Sequence, residues 1–483
     1  MKSLPHIVIV GAGAGGLELA TTLGDKLGKR RRANITLIDR NRTHIWKPRL
    51  HEVATGALNA TVDELSYVAH AHQHHMSFVL GTLAGIDRVQ KTVQLAALNV
   101  DGEEILPARS LNYDTLVIAV GSQANDFNTE GAAKHCIYLD QRAAAERFHQ
   151  AFLNIYLKAS QLTEKDKLTF NIAIVGGGAT GVELAAELNH SVHQLTRYGF
   201  RGIKPENVDI TIIEAAPRVL PALSPKASAA IQRQLESLNI NLLTEEMVTK
   251  VTADGLEMKS GRFIPAQLKV WSAGIKAPAL LTQLDGLETN HINQLLVKDT
   301  LVTTLDDNIF AFGDCASCPR PGAEQNVPPR AQAAHQQACV LAKSLIEKAA
   351  GRAPIPFVYK DKGSLVSLGR SGTIGNIMGN LSKDFTFEGK VARVFYKLLY
   401  RMHQQALHGV QTTLPYAPTS AARRGQNTDD YAPRSDKPPH GPVIETALRK
   451  ILYCHSTPLY RCRERVIRHR INLRASDDIK AQG

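Results

Sequence analysis

Residues 6–27 read HIVIVGAGAGGLELATTLGDKL. A run rich in β-branched residues ends at Gly11, and a helix-like pattern follows Gly16. In a strand–turn–helix unit the first glycine of GxGxxG permits a tight turn. The second lets the backbone approach a pyrophosphate, and the third lets helix and strand pack closely. The helix N-terminus then offers free N–H groups and its positive dipole end to the phosphates. A lone GxGxxG is a weak signal, but here it follows a strand and opens a helix, the context the motif requires. Residues 34–40, NITLIDR, read as the next strand, and Asp39 at its end is placed to grip ribose hydroxyls.

The pattern returns about 165 residues later, a period too long for a solenoid. Residues 170–192 read FNIAIVGGGATGVELAAELNHSV, with Gly176, Gly178 and Gly181, and the strand 208–213 runs into Glu214. Glu214 follows its glycines at a longer offset than Asp39 does, and RYGFRGIKPEN (197–207) reads as the insertion responsible. Each copy has a later strand running into a glycine, Gly121 in the first and Gly274 in the second. The chain is therefore expected to be α/β, with two Rossmann-like dinucleotide-binding units. A carboxylate at 214 repels a 2′-phosphate, so NADH is expected over NADPH, although Arg218 is close in sequence. Both helices also carry a glutamate two positions after the last glycine, Glu18 and Glu183, either facing a cofactor or proton path or simply stabilised by the helix dipole.

The 483 residues suggest two or three domains, and 43% hydrophobic content is enough for a buried core. The formal charge of +12 fits an anionic cofactor, an anionic membrane or nucleic acid. Much of it sits in KRRR at 29–32 and in the C-terminal tail, without an aromatic-interleaved basic face, so nucleic acid is not expected. Six cysteines are too few for a disulfide scaffold, and a reducing compartment is expected. No stretch is apolar enough for a transmembrane helix, so membrane contact would be peripheral.

From residue 385 the texture changes. Val391, Val394, Phe395, Leu398, Leu399 and Met402 recur at helical spacing beside Lys390, Arg393, Lys397 and Arg401. That is the pattern of an interfacial helix. Residues 411–442 are polar and proline-rich without an apolar period, and 443–483 form a basic tail.

The doubled unit, with YDTLVIAVGS (113–122) between the copies and FAFGDCA (310–316) after them, resembles the two-dinucleotide-binding-domain flavoproteins. HIWKPRLHEVATG (44–56), GDCASCPRP (313–321), PPRAQAAHQQA (328–338), KDKGSLVSLG (360–369) and LYRMHQQALHG (399–409) narrow this to a resemblance to type II NADH:quinone oxidoreductase of the bacterial respiratory branch. The resemblance runs from about residue 5 to 409, and AQAAHQ (331–336) is its most specific piece.

It implies a non-proton-pumping enzyme that passes hydride from NADH to FAD and two electrons on to a membrane quinone. Gly11, Ala12, Gly13, Gly15, Gly16, Asp39, Arg40, Lys47, Ala119, Gly121, Gly313, Asp314 and Ala331 would lie on FAD. Gly176, Gly178, Gly181, Glu183, Glu214 and Gly274 would lie on NADH. Gln332, Gln336, Glu183 and Lys362 would be catalytic, with both glutamine amides able to donate to a quinone carbonyl.

The implied layout has an FAD domain in two parts, 1–125 and 296–385, the second bearing the quinone-site helix. The NADH domain, 126–295, is inserted between them, and 386–410 is the membrane-associating helix. The location implied is the cytoplasmic face of the inner membrane, held peripherally by anionic lipid, with a homodimer possible. The sequence departs from the family after ALHG, where some forty extra polar residues replace the usual apolar stretch. The alternatives are a soluble NADH-dependent disulfide or peroxide reductase and a sulfide:quinone reductase. Against both, residues 44–56 contain no cysteine, and Cys136, Cys315, Cys318 and Cys339 do not reproduce the dedicated arrangement. Cys315 and Cys318 are read as packing residues. His335 and Cys339, four apart on a helix, are a conceivable pair of ligands, but no metal site is assigned.

Overall fold

In the computed structural model the described residues are 3–159, 169–197, 204–368, 373–377, 385–388 and 404–407. The sheet of the first unit is parallel, in the order Ile309–Ala311, Thr115–Ile118, His6–Val10, Asn34–Asp39, Ser77–Leu80. His6–Val10 lies at its centre, with Val8 and Ile9 fully buried. This is why its sequence is a continuous apolar run and not an alternation. The second sheet, also parallel, runs Ile137–Tyr138, Leu268–Trp271, Phe170–Val175, Val208–Ile213, Ile240–Leu243. In both sheets the glycine-turn strand sits between the acid-bearing strand and a later strand that runs into a glycine.

Five helices frame the sites: α1 (Ala14–Leu23), α2 (Leu50–Thr55), α3 (Arg142–Ala159), α4 (Ala179–Arg197) and α5 (Ala331–Ala349). Helices α1 and α4 follow the two glycine turns, and α5 packs on α1. Small residues allow that approach: a Cβ on Gly15 would stand 3.3 Å from the Cβ of Ala334.

The chain leaves the first unit through Gln123–Ala124 and returns through Ile275–Lys276, two short strands that pair antiparallel. The expected return near residue 295 is therefore corrected. Ala277, Leu281, Leu284, Leu287 and Leu295 already belong to the first core. Leu50, Val53 and Ala54 of α2, together with Val366 and Leu368, pack instead with Phe148, Phe152 and Tyr156 of α3 in the second core. Apolar surface is buried wherever a complementary face lies nearest, and no sequence boundary marks that choice.

Ser364–Ser367, Thr373–Ile377 and Phe385–Glu388 form an antiparallel sheet. Residues 386–388 are thus strand, not the start of the expected helix. The amphipathic stretch 390–402, the 411–442 segment and the 443–483 tail lie outside the described residues. Among the described residues no helix is long and apolar enough to cross a membrane.

Candidate functional site

The two glycine turns are built alike. Gly11 has φ +103°, and a Cβ there would stand 2.4 Å from the Ala119 carbonyl oxygen; Gly176 has φ +108°, and its Cβ would stand 2.6 Å from the Ala273 nitrogen. The last glycine of each turn is pressed on the first: a Cβ on Gly16 would lie 1.9 Å from the Gly11 oxygen, and one on Gly181 2.0 Å from the Gly176 oxygen. Among the described residues, a Cβ on Gly13 or Gly178 would meet nothing within 4 Å. The open space lies where the motif brings a pyrophosphate against the backbone. The N-terminus of α1 also carries no side-chain cap and no acid in its first turn, leaving its dipole and N–H groups available to an anion. The residues present therefore fit the two dinucleotides that the fold implies.

The two acids hold their turns in the same way. Asp39 Oδ2 accepts the Ala12 N–H at 2.7 Å, and Glu214 Oε2 accepts the Gly177 N–H at 2.6 Å. Arg218 donates to the carbonyls of Leu223 and Pro221, both at 2.9 Å, which occupies the guanidinium locally. At the C-terminal ends of the first sheet the Ser122 hydroxyl donates to Asp314 Oδ2 at 2.8 Å, and Lys47 Nζ to the Ser122 carbonyl at 2.9 Å. This is the crevice where ligands bind in open α/β sheets. Arg40 is exposed and donates to Gln141 Oε1 at 3.1 Å.

Several positioning residues were not singled out from sequence. Tyr67 Oη donates to the Ala12 carbonyl at 2.7 Å, and His44 Nδ1 lies 3.2 Å from the same oxygen. Burial lowers the His44 pKa to about 4. Gln337, buried on α5, accepts the Gly313 N–H at 2.8 Å and so fixes the turn that carries Asp314. Ser272 donates to the carbonyls of Val175 and Gly176 at 2.9 and 3.1 Å. Tyr67 and Ser272 carry no local signal, His44 opens the stretch HIWKPRLHEVATG, and Gln337 directly follows the glutamine pattern.

Gln332 and Gln336 behave differently from expectation. Gln332 Nε2 donates to Asp361 Oδ1 at 3.2 Å and to the Gly363 carbonyl at 2.9 Å, while its Oε1 accepts the Lys362 N–H at 3.1 Å. Gln336 pairs with the backbone of Lys360, donating at 2.8 Å and accepting at 3.0 Å. A carboxamide has two N–H groups, so the Gln332 amide is fully engaged and, among the described residues, Gln336 keeps one. The glutamines clamp residues 360–363, which lead into the strand Ser364–Ser367. The Lys362 side chain is exposed beside them.

That same strand reaches Glu183. Glu183 is buried on α4, and its Oε1 accepts the Ser367 N–H at 3.0 Å. Its Oε2 lies 3.6 Å from Nδ1 of buried His51. Burial raises the Glu183 pKa to about 8 and lowers that of His51 to about 4. Burial thus favours the protonated carboxyl and the neutral imidazole over an ion pair. Segment 360–367 thus connects Gln332, Gln336, Lys362 and Glu183, which the sequence places far apart.

Cys315 and Cys318 are buried, and burial raises both thiol pKa values to about 11. Cys315 Sγ donates to the Phe312 carbonyl at 3.2 Å. Neither thiol is poised as a nucleophile, because the thiolate is the reactive form.

A family model for pyridine nucleotide-disulphide oxidoreductases matches residues 5–338. The chain is 46% identical over 423 residues to the type II NADH:quinone oxidoreductase of Haemophilus influenzae, covering 84% of this chain and 95% of that one. To a type II NADH:quinone oxidoreductase of Mycobacterium tuberculosis it is 29% identical, covering 77% of this chain and 78% of that one. Among solved structures, NDH2 from Plasmodium falciparum in complex with NADH superposes with a TM-score of 0.71 at 20% identity, over 82% of this chain and 94% of that one. Sulfide:quinone oxidoreductase from Aquifex aeolicus superposes with a TM-score of 0.66 at 17% identity, over 90% of this chain and all of that one. Those two likenesses speak for the fold.

Proposed function

The chain belongs to the type II NADH:quinone oxidoreductases of the pyridine nucleotide-disulphide oxidoreductase family, and from that membership we propose that it passes two electrons from NADH through FAD to a membrane quinone. The observation that carries the reading is the doubled glycine turn, each with its own acid bonded to the turn N–H. FAD, when bound, accepts hydride from NADH and passes the electrons on, so the protein supplies orientation and electrostatics. Asp39, Asp314 and Lys47 would hold FAD. Glu214 would grip the NADH ribose and repel a 2′-phosphate.

On the quinone side we assign Gln332 a positioning role, holding segment 360–363, and Gln336 a direct one through its remaining N–H. Glu183, whose burial favours the protonated form, is assigned as a proton reserve for the reduced quinone, with Lys362 at the rim. In stopped flow NADH should bleach the flavin and a short-chain quinone should restore it. Gln332→Ala should slow the second half-reaction much more than the first; equal loss in both would remove the assignment.

The quinone is met at a bilayer, and the basic amphipathic residues 390–402 are the proposed contact, peripheral and on the cytoplasmic face of the inner membrane. Cations near an anionic surface each contribute about 1 kcal/mol. The full chain should float with anionic liposomes and a chain ending at 385 should not; equal flotation of both would exclude this contact.

A further inference from the structure

Glu18 has no part in the reaction described above, yet it is only 5% exposed. Its carboxylate faces α5. His335 Nδ1 lies 2.8 Å from Oε2 and 2.8 Å from Oε1, and Cys339 Sγ lies 3.7 Å from Oε1. The ligating atoms of the three side chains all fall within 4.8 Å of one another. His335 and Cys339 are one turn apart on the same face of α5, and the close approach of Gly15 and Ala334 brings Glu18 opposite them.

We propose that Glu18, His335 and Cys339 form a binding site for a divalent transition-metal ion of the Zn2+ type, with a fourth coordination position open to water. Carboxylate oxygen, imidazole nitrogen and thiolate sulfur form the donor set that Zn2+ accepts. Ordinary zinc bond lengths around a tetrahedral ion separate O from N by about 3.3 Å and S from O by about 3.6 Å. The S···O distance of 3.7 Å already matches, and the O···N distance needs to open by about 0.5 Å. The His335 side chain is 25% exposed and that of Glu18 7%, so an ion enters from the His335 side and meets a carboxylate fixed by burial. On entry the ion displaces the Cys339 thiol proton to water, forming the metal–sulfur bond, and the Nδ1 proton that His335 donates to Glu18 is released to water, the neutral ring keeping its proton on Nε2 while Nδ1 binds the ion. The cation then makes Glu18 a co-ligand, where before it was a hydrogen-bond acceptor for the thiol.

The test is equilibrium dialysis of the FAD-loaded protein against Zn2+, with zinc measured per flavin. The parent is expected to hold one zinc per flavin. Cys339→Ser and His335→Gln should lose it at zinc concentrations that saturate the parent while keeping their flavin. The double variant Cys315→Ser/Cys318→Ser should bind zinc like the parent. No binding by the parent, full binding by Cys339→Ser, or loss confined to the Cys315/Cys318 variant would each overturn the proposal. Zinc X-ray absorption gives an independent reading: one sulfur in the first shell is expected, and a shell of nitrogen and oxygen only would overturn it.

Discussion

Gly16→Ala is expected to weaken FAD binding and lower the flavin content and turnover of the purified protein, whereas Gly181→Ala keeps its flavin and loses affinity for NADH. The two substitutions are chemically identical and meet the same obstacle. A Cβ at Gly16 would stand 1.9 Å from the Gly11 carbonyl oxygen, and one at Gly181 2.0 Å from that of Gly176. Both turns are tied down. The Gly11 N–H is bonded to the Ile38 carbonyl at 2.8 Å, and the Gly176 carbonyl accepts from Ser272 at 3.1 Å. Forcing an extra carbon into a packed contact costs about 1–3 kcal/mol, and about 1.4 kcal/mol is tenfold in binding. The Michaelis constant for NADH in Gly181→Ala should therefore rise about tenfold to a hundredfold. Flavin absorbance per polypeptide and the NADH dependence of turnover measure the two effects. Loss of flavin from Gly181→Ala, with normal flavin in Gly16→Ala, would reverse the assignment of the two units.

Glu183→Gln should show a pH signature in both stability and rate. The ordinary carboxyl value for Glu183 is 4.5, and burial raises it in the folded protein to about 8. Between those values the folded state binds the proton that the unfolded state has released. The contribution to stability is thus fully present below the unfolded value. It falls as pH rises, by about 1.4 kcal/mol per pH unit, until the folded value is passed. Glutamine mimics the protonated acid and retains the acceptor for the Ser367 N–H. Wild type and variant should melt at similar temperatures at pH 5, and the variant should melt higher at pH 9. A constant gap between the two across that range would show that Glu183 does not titrate there. In turnover, the wild-type quinone half-reaction should slow as pH rises through about 8. Glu183→Gln should be slower and flat, with flavin reduction by NADH unchanged. A retained alkaline limb in the variant would assign the proton to another group.

Much of the architecture was legible because short-range sterics write it locally. The glycine turns, the strands before them and the acids after them each lie within one supersecondary unit, where spacing determines geometry. Asp39 and Glu214 could be named from the strands they end, and Asp314 from the Gly-Asp turn. The role of the glutamines was legible only in part. AQAAHQ located the helix and the face, but the engagement of Gln332 by Asp361 and Gly363 depends on a segment some thirty positions away.

The sequence by itself determined the α/β class, the two dinucleotide turns and their order along the chain, because only glycine satisfies the steric demands at Gly11, Gly16, Gly176 and Gly181. It did not determine which buried acid meets which base. Glu183 finds His51 and Ser367 because α2 and the 364–367 strand pack against the second unit. Glu18 finds His335 and Cys339 because α1 and α5 meet through Gly15 and Ala334. These pairings are set by which apolar faces fit together, a property of the folded whole. The same burial raises the Glu183 pKa to about 8, so it is the tertiary structure that favours its protonated form.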